Sequence, residues 1–138
     1  MDKYRTSLIV PIYGVEKYIA KFAESALDQT YQDLQFIFVN DGTKDRSMEI
    51  LRDLIANRYA HLQSRIVIID KENGGLPSAR KAGLDVAEGE YVLFADSDDW
   101  METDAVEKVM AKADETHADI IYFDLIKEYG NRTSYKRE

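Results

Sequence analysis

The chain has 138 residues, with 18 basic against 26 acidic side chains for a formal charge of −8, and no cysteine. This length suits one domain able to bury its own core, while the lack of thiols excludes Cys-ligated zinc, thiol catalysis and a disulfide framework. The acidic balance argues against a nucleic-acid binder, whose footprint is basic, and no apolar run approaches the roughly 18 residues of a membrane span.

Residues 7–12 are the first of five short apolar runs rich in β-branched and aromatic side chains, and the N-terminus leads straight into them without resembling a signal peptide. Residues 16–28 follow with Tyr18, Ile19, Phe22, Ala26 and Leu27 at helical spacing. A second strand is predicted at 34–39, then a helix over 45–59 carrying Met48, Leu51, Leu54 and Ile55, with Asp45 or Ser47 as its cap. A third strand at 66–69 precedes a helix opened by Pro77 and running to Val86. A fourth strand at 91–95 leads to a helix over 103–116 with Thr103 as candidate N-cap, and a fifth strand is predicted at 119–125. From Lys127 the chain turns polar, so residues 1–126 read as one domain and 127–138 as a polar tail.

Strand centres lie about 25 to 31 residues apart, the span of a strand and a covering helix. The alternation predicts an α/β sandwich, with helices on a mostly parallel sheet and right-handed crossovers. Ligands of such sheets bind beyond the carboxyl ends of the strands. Those ends carry Pro11-Ile12-Tyr13-Gly14-Val15-Glu16, Asn40-Asp41-Gly42, Asn73-Gly74-Gly75 leading to Arg80, and Asp96-Ser97-Asp98-Asp99.

The acidic cluster is the sharpest of these. Its carboxylates repel one another, and Asp96 and Asp98, two apart, point the same way in an extended segment. Such a pair suits Mg²⁺ or Mn²⁺, which take oxygen ligands and share them with phosphates; the plain alternative is a helix cap facing water. Asp41 offers a carboxylate to a heterocycle N–H or to nearby backbone, though Asn-Asp-Gly is also ordinary turn chemistry. Asn73-Gly74-Gly75 lets backbone approach a ligand, the helix opened by Pro77 favours anions, and Arg80 is placed to reach a phosphate or the acidic cluster. Tyr13 and Trp100 offer aromatic faces for a base or sugar, or simply packing. His61 and His117 read as surface or capping residues.

Taken in order, Leu8-Ile9-Val10-Pro11-Ile12-Tyr13, Val39-Asn40-Asp41-Gly42-Thr43-Lys44-Asp45, Asn73-Gly74-Gly75 through Ala79-Arg80, Glu88-Gly89-Glu90-Tyr91 and Asp96-Ser97-Asp98-Asp99 resemble the N-terminal, nucleotide-sugar-binding part of a family 2 glycosyltransferase. The resemblance implies a GT-A fold, a Rossmann-like three-layer α/β/α sandwich incomplete at its C-terminus. It implies metal-dependent, inverting transfer of a sugar from a UDP-linked or other nucleotide-diphosphate donor to a glycan or lipid-linked acceptor. By the same resemblance Pro11 and Tyr13 flank the base, Glu16 supports its pocket and Asp41 accepts its N–H. Arg80 lies near the nucleotide, Asp96 contacts the ribose or metal side, and Asp98 ligates Mn²⁺ or Mg²⁺. No general base is identifiable, so the chain is expected to be a donor-binding part that continues into an acceptor-side region. A cytoplasmic place in polysaccharide synthesis follows from the resemblance alone, with room for peripheral association at the inner membrane face.

Asn40 stands where the family often has Asp, Gly14 where Asn is common, Lys81-Ala82 where an Arg/Asn-type continuation is common, and Thr103 where Pro is frequent. A nucleotide-sugar-binding module without catalysis is the main competing reading. A receiver-like signalling domain or an Asp-x-Asp phosphatase would carry its acids after other strands, and neither Gly-x-Gly-x-x-Gly nor a Walker lysine motif occurs.

Overall fold

The computed structural model describes residues 3–98, 100–116, 121–125 and 133–137, with side-chain environments up to residue 115. The elements are β1 (Tyr4–Ile12), α1 (Ile19–Leu27), β2 (Leu34–Asp41), α2 (Ser47–Arg58), a 3-10 turn (Ala60–Arg65), β3 (Ile66–Lys71), α3 (Leu76–Val86), β4 (Gly89–Phe94), α4 (Ala105–Thr116), β5 (Ile121–Leu125) and β6 (Thr133–Arg137). The sheet runs β3-β2-β1-β4-β5-β6, parallel except for the β5–β6 pair. The expected strand–helix alternation is therefore present. Segment 133–137, expected to be polar tail, is an antiparallel strand at the edge of the sheet, paired with β5 from Leu125–Thr133 to Ile121–Arg137.

Strands β1 and β2 are apolar almost throughout because both faces are covered. On one face Leu8, Val10, Ile12, Leu34, Phe36, Phe38 and Leu93 pack against Phe22 of α1, Leu51 of α2 and Val106 of α4. On the other, Ile9, Ile37, Val39 and Phe94 meet α3 through Ala79. Helices α1, α2 and α4 thus share a face and α3 holds the other alone. The β4–α4–β5 connection crosses the sheet in the opposite direction to β1–α1–β2 over the same face, so the two are of opposite hand. The expectation of uniformly right-handed crossovers fails here.

Hydrogen bonds account for α4's position. Gln29, almost fully buried at the end of α1, donates from Nε2 to the carbonyls of Ser25 (2.9 Å) and Glu102 (2.7 Å) and accepts from Val106 N–H (3.0 Å). Met101 N–H reaches Ser25 Oγ at 2.9 Å and Thr30 N–H reaches the Thr103 carbonyl at 2.8 Å. The predicted Thr103 cap therefore does not form at that residue, and α4 begins at Ala105 with its entry segment tied to α1.

The strand order reverses between β1 and β4, since β2 and β3 lie to one side and β4 and β5 to the other. At such a reversal the loops leaving adjacent strands diverge and open a crevice at the carboxyl edge.

Candidate functional site

A cavity of about 540 Å³ opens at that edge, lined by Pro11, Tyr13 and Val15 after β1, Asp41 at the end of β2, Asn73, Gly75, Leu76 and Ala79 at the start of α3, and Asp96, Ser97 and Asp98 after β4. Its size and rim position suit a small-molecule site. Of the residues singled out from sequence, Pro11, Tyr13, Asp41, Asp96 and Asp98 meet there; Glu16 and Arg80 are not among the lining residues.

Backbone alternation sets the acidic wall. The β1–β4 register pairs Ile9 with Phe94, and Ala95 N–H reaches the Ile9 carbonyl at 3.1 Å, bringing the next residues alongside Pro11. Ser97 is buried and donates from Oγ to the Pro11 carbonyl at 2.7 Å, whereas its neighbours Asp96 and Asp98 are exposed and both line the cavity. The inward serine is thus the anchor that turns two carboxylates outward. Asp99 lies outside the described residues.

Asp41 is buried, its side chain 6% exposed, and its carboxylate is well supplied with donors. Oδ1 accepts from Lys71 Nζ (3.0 Å) and Gly74 N–H (3.0 Å), and Oδ2 from Gly75 N–H (3.1 Å) and Asn73 Nδ2 (3.3 Å). Burial pushes its pKa up, but the bonds from Gly74, Lys71 and Gly75 and the lysine charge outweigh that, so the net shift is downward. Acceptance from nearby backbone, one of its two anticipated uses, is formed. Asp41 fastens the Asn73–Gly75 loop, and with it the N-terminus of α3, to the end of β2. Gly42 permits the approach: its φ is +71°, and a Cβ there would lie 2.6 Å from the Asn73 nitrogen.

A second carboxylate, read from sequence only as a helix cap, orders the opposite wall. Asp45 Oδ1 accepts from Thr43 Oγ1 (2.7 Å), Ser47 Oγ (2.6 Å) and Ser47 N–H (3.0 Å), and Oδ2 accepts from Glu16 N–H (3.2 Å). The same hydroxyls accept from the β1 loop: Gly14 N–H reaches Thr43 Oγ1 at 2.8 Å and Val15 N–H reaches Ser47 Oγ at 3.0 Å. Burial raises the Asp45 pKa, and the bonds from Ser47, Thr43 and Glu16 overcome this and bring it down to about 2. Glu16 itself is exposed and joins through its backbone N–H. The sequence signal for this clamp was the acid flanked by hydroxyls in Thr43-Lys44-Asp45-Arg46-Ser47.

Arg80 places its guanidinium 5.1 Å from the Phe94 ring centroid, and its buried Nε has no hydrogen-bond partner among the described residues. Trp100 sits under Lys21 Nζ at 5.5 Å, away from the cavity lining. His61 is exposed beside the Tyr59 ring, and His117 lies outside the described residues.

Among the described residues no three His, Asp or Glu side chains converge as a metal cage. Two exposed carboxylates on a cavity suit a different donor set, that with which Mg²⁺ or Mn²⁺ is shared between protein carboxylates, water and a phosphate. The first turn of α3 adds backbone N–H groups and a helix dipole favourable to an anion.

Comparison with known proteins supports the same direction. The family model for glycosyl transferase family 2 matches residues 7–138. The chain is 42% identical over 84% of its length to glycosyltransferase GlyA of Streptococcus pneumoniae, and 40% identical over 94% to the uncharacterized glycosyltransferase EpsJ of Bacillus subtilis. It spans only 16% and 36% of those two proteins. Among solved structures it resembles TarS 1-349 of S. aureus in complex with UDP-GlcNAc, with a TM-score of 0.72 and 30% identity over 85% of this chain and 33% of that one.

Proposed function

The chain belongs to glycosyltransferase family 2 and has its GT-A fold, and we propose that its cavity binds the nucleotide-diphosphate sugar, UDP-linked, of an inverting, metal-dependent transfer. The observation that carries this is that Asp96 and Asp98 line the same crevice as Pro11 and Tyr13, where the strand order reverses. The solved complex of TarS with UDP-GlcNAc supports UDP as the nucleotide.

In this reading Tyr13 and Pro11 flank the base, Asp41 shapes the wall beneath it, and the first turn of α3 faces the diphosphate. Asp98 ligates Mn²⁺ or Mg²⁺ and Asp96 contacts the ribose or metal side. The bound cation would neutralise the departing nucleoside diphosphate as a Lewis acid. Inversion then needs one in-line attack by an acceptor hydroxyl, with a carboxylate taking its proton. No residue here is assigned that role, and transfer to a glycan or lipid-linked acceptor is proposed for the whole protein. No helix among the described residues is long and apolar enough to cross a membrane. A cytoplasmic place in polysaccharide synthesis is part of the proposal.

Isothermal titration with UDP tests the donor site. Wild type is expected to bind at least about tenfold more tightly with Mn²⁺ than without, a difference of about 1.4 kcal/mol, and Asp98→Ala is expected to abolish that gain. Equal affinity with and without metal would refute the role of Asp98, and no binding at all would refute the donor reading.

A further inference from the structure

We infer that Asp45 is a positioning residue of the donor site, holding the β1 loop so that Tyr13 forms the cavity wall. The inference rests on the donor reading above but is carried by a separate observation. Three consecutive backbone N–H groups, those of Gly14, Val15 and Glu16, end on this one carboxylate, the first through Thr43 Oγ1, the second through Ser47 Oγ and the third directly.

The loop needs such a device. Tyr13 is 56% exposed, so core packing does little to hold it. Gly14 follows with φ +65° and nothing within 4 Å of where its Cβ would be, so no steric contact fixes the turn. A hydroxyl that accepts from one loop and donates to an ionised carboxylate is polarised in a single sense, and charge-assisted bonds of this kind are stronger than neutral ones. Asp45 does not line the cavity, so it acts on a ligand through Tyr13 rather than by contact.

The reach of the clamp divides into parts that can be removed singly. Thr43→Val deletes the Gly14 link. Ser47→Ala deletes the Val15 link. Asp45→Asn keeps one acceptor oxygen while the amide nitrogen or that oxygen must face Glu16 N–H. Asp45→Ala removes the common acceptor.

The experiment combines amide hydrogen exchange with UDP titration. In wild type the Gly14, Val15 and Glu16 amides are expected to be protected, and in Asp45→Ala to exchange at least about tenfold faster, while amides of β1 hold. Thr43→Val and Asp45→Asn are each expected to weaken UDP binding about tenfold. In a Tyr13→Ala background the same substitutions are expected to cost almost nothing further, because the clamp acts through that ring. Folded Thr43→Val and Asp45→Asn proteins with wild-type UDP affinity would overturn the positioning role, as would an undiminished loss in the Tyr13→Ala background. If wild type binds no UDP, the donor reading falls and the positioning role with it; the exchange data still decide whether the clamp exists.

Discussion

Asp41 and Asp45 stand four residues apart and fasten opposite walls of one cavity, yet their environments differ in what each carboxylate meets. Asp41 holds a lysine and two backbone N–H groups, so Asp41→Ala leaves the loop amides without their acceptor and Lys71 without its carboxylate, with only the Glu72 carbonyl still accepting from its Nζ. A loss of roughly 2–4 kcal/mol in stability is expected, read by urea denaturation. Asp45 makes a pH prediction. Its pKa falls from 3.8 to about 2 on folding, so its contribution to stability is fully present above about pH 4 and is lost as pH falls through about 2. The stability difference between wild type and Asp45→Asn should therefore shrink over that window and stay constant above it. A difference that persists unchanged at pH 2 would show that the carboxylate's charge plays no part. At this scale the sequence was informative about which acids matter near the rim and uninformative about which donors they meet. Lys71 and Asp41 are 30 positions apart, and only the β2–β3 register sets them side by side.

Among the elements, α3 and α4 depend most on single close contacts. Gly83 of α3 lies against β1, where a Cβ would come within 2.5 Å of Ile9 Cγ2, and Ile9 is fully buried. Gly83→Ala should cost about 1–3 kcal/mol by overpacking, and it should lower the midpoint of thermal unfolding without changing the far-ultraviolet spectrum. For α4 the determinant is Gln29. Gln29→Leu leaves the Val106 N–H and the Glu102 carbonyl without their buried partner, and roughly 2–3 kcal/mol should be lost. Element identity was legible for the first five strands and the four α-helices, because the apolar runs and the helical stripes have different periods, whereas the polar strand at 133–137 carried no such signal. Element ends were not legible. Helix α1 begins at Ile19, after a turn in which the Tyr18 and Ile19 N–H groups both reach the Val15 carbonyl at 2.8 Å, and α4 begins at Ala105, with Gln29 holding the Glu102 carbonyl just before it.

For the whole molecule, binding at the crevice couples to the stability of the entire fold, because its lining comes from β1, β2, α3 and the segment after β4. A ligand at a hundredfold excess over its Kd adds about 2.7 kcal/mol. For a domain of this size that corresponds to a rise in Tm on the order of 8 °C. UDP with Mn²⁺ should produce it in wild type, and the Mn²⁺-dependent part should vanish in Asp98→Ala. The net charge of −8 gives the cation a second role at this scale. Bound beside Asp96 and Asp98 as proposed, it would reverse the local field that otherwise repels a diphosphate.

The alternation of apolar runs and helical stripes determined the α/β class, and the ordered motifs at the strand ends determined the family. Both are local in the chain, since periodicity and turn chemistry are written within a few neighbouring residues. Tertiary structure alone decided three things: that α4 shares a face with α1 and α2, that residues 133–137 complete the sheet as an antiparallel edge, and that Asp45 is a clamp for the first loop. The first and third depend on partners far apart in sequence, brought within hydrogen-bonding distance only when the strands take their register, and the second on β5 being held in the sheet beside β4. Spacing along a chain carries no record of that register until the core has packed.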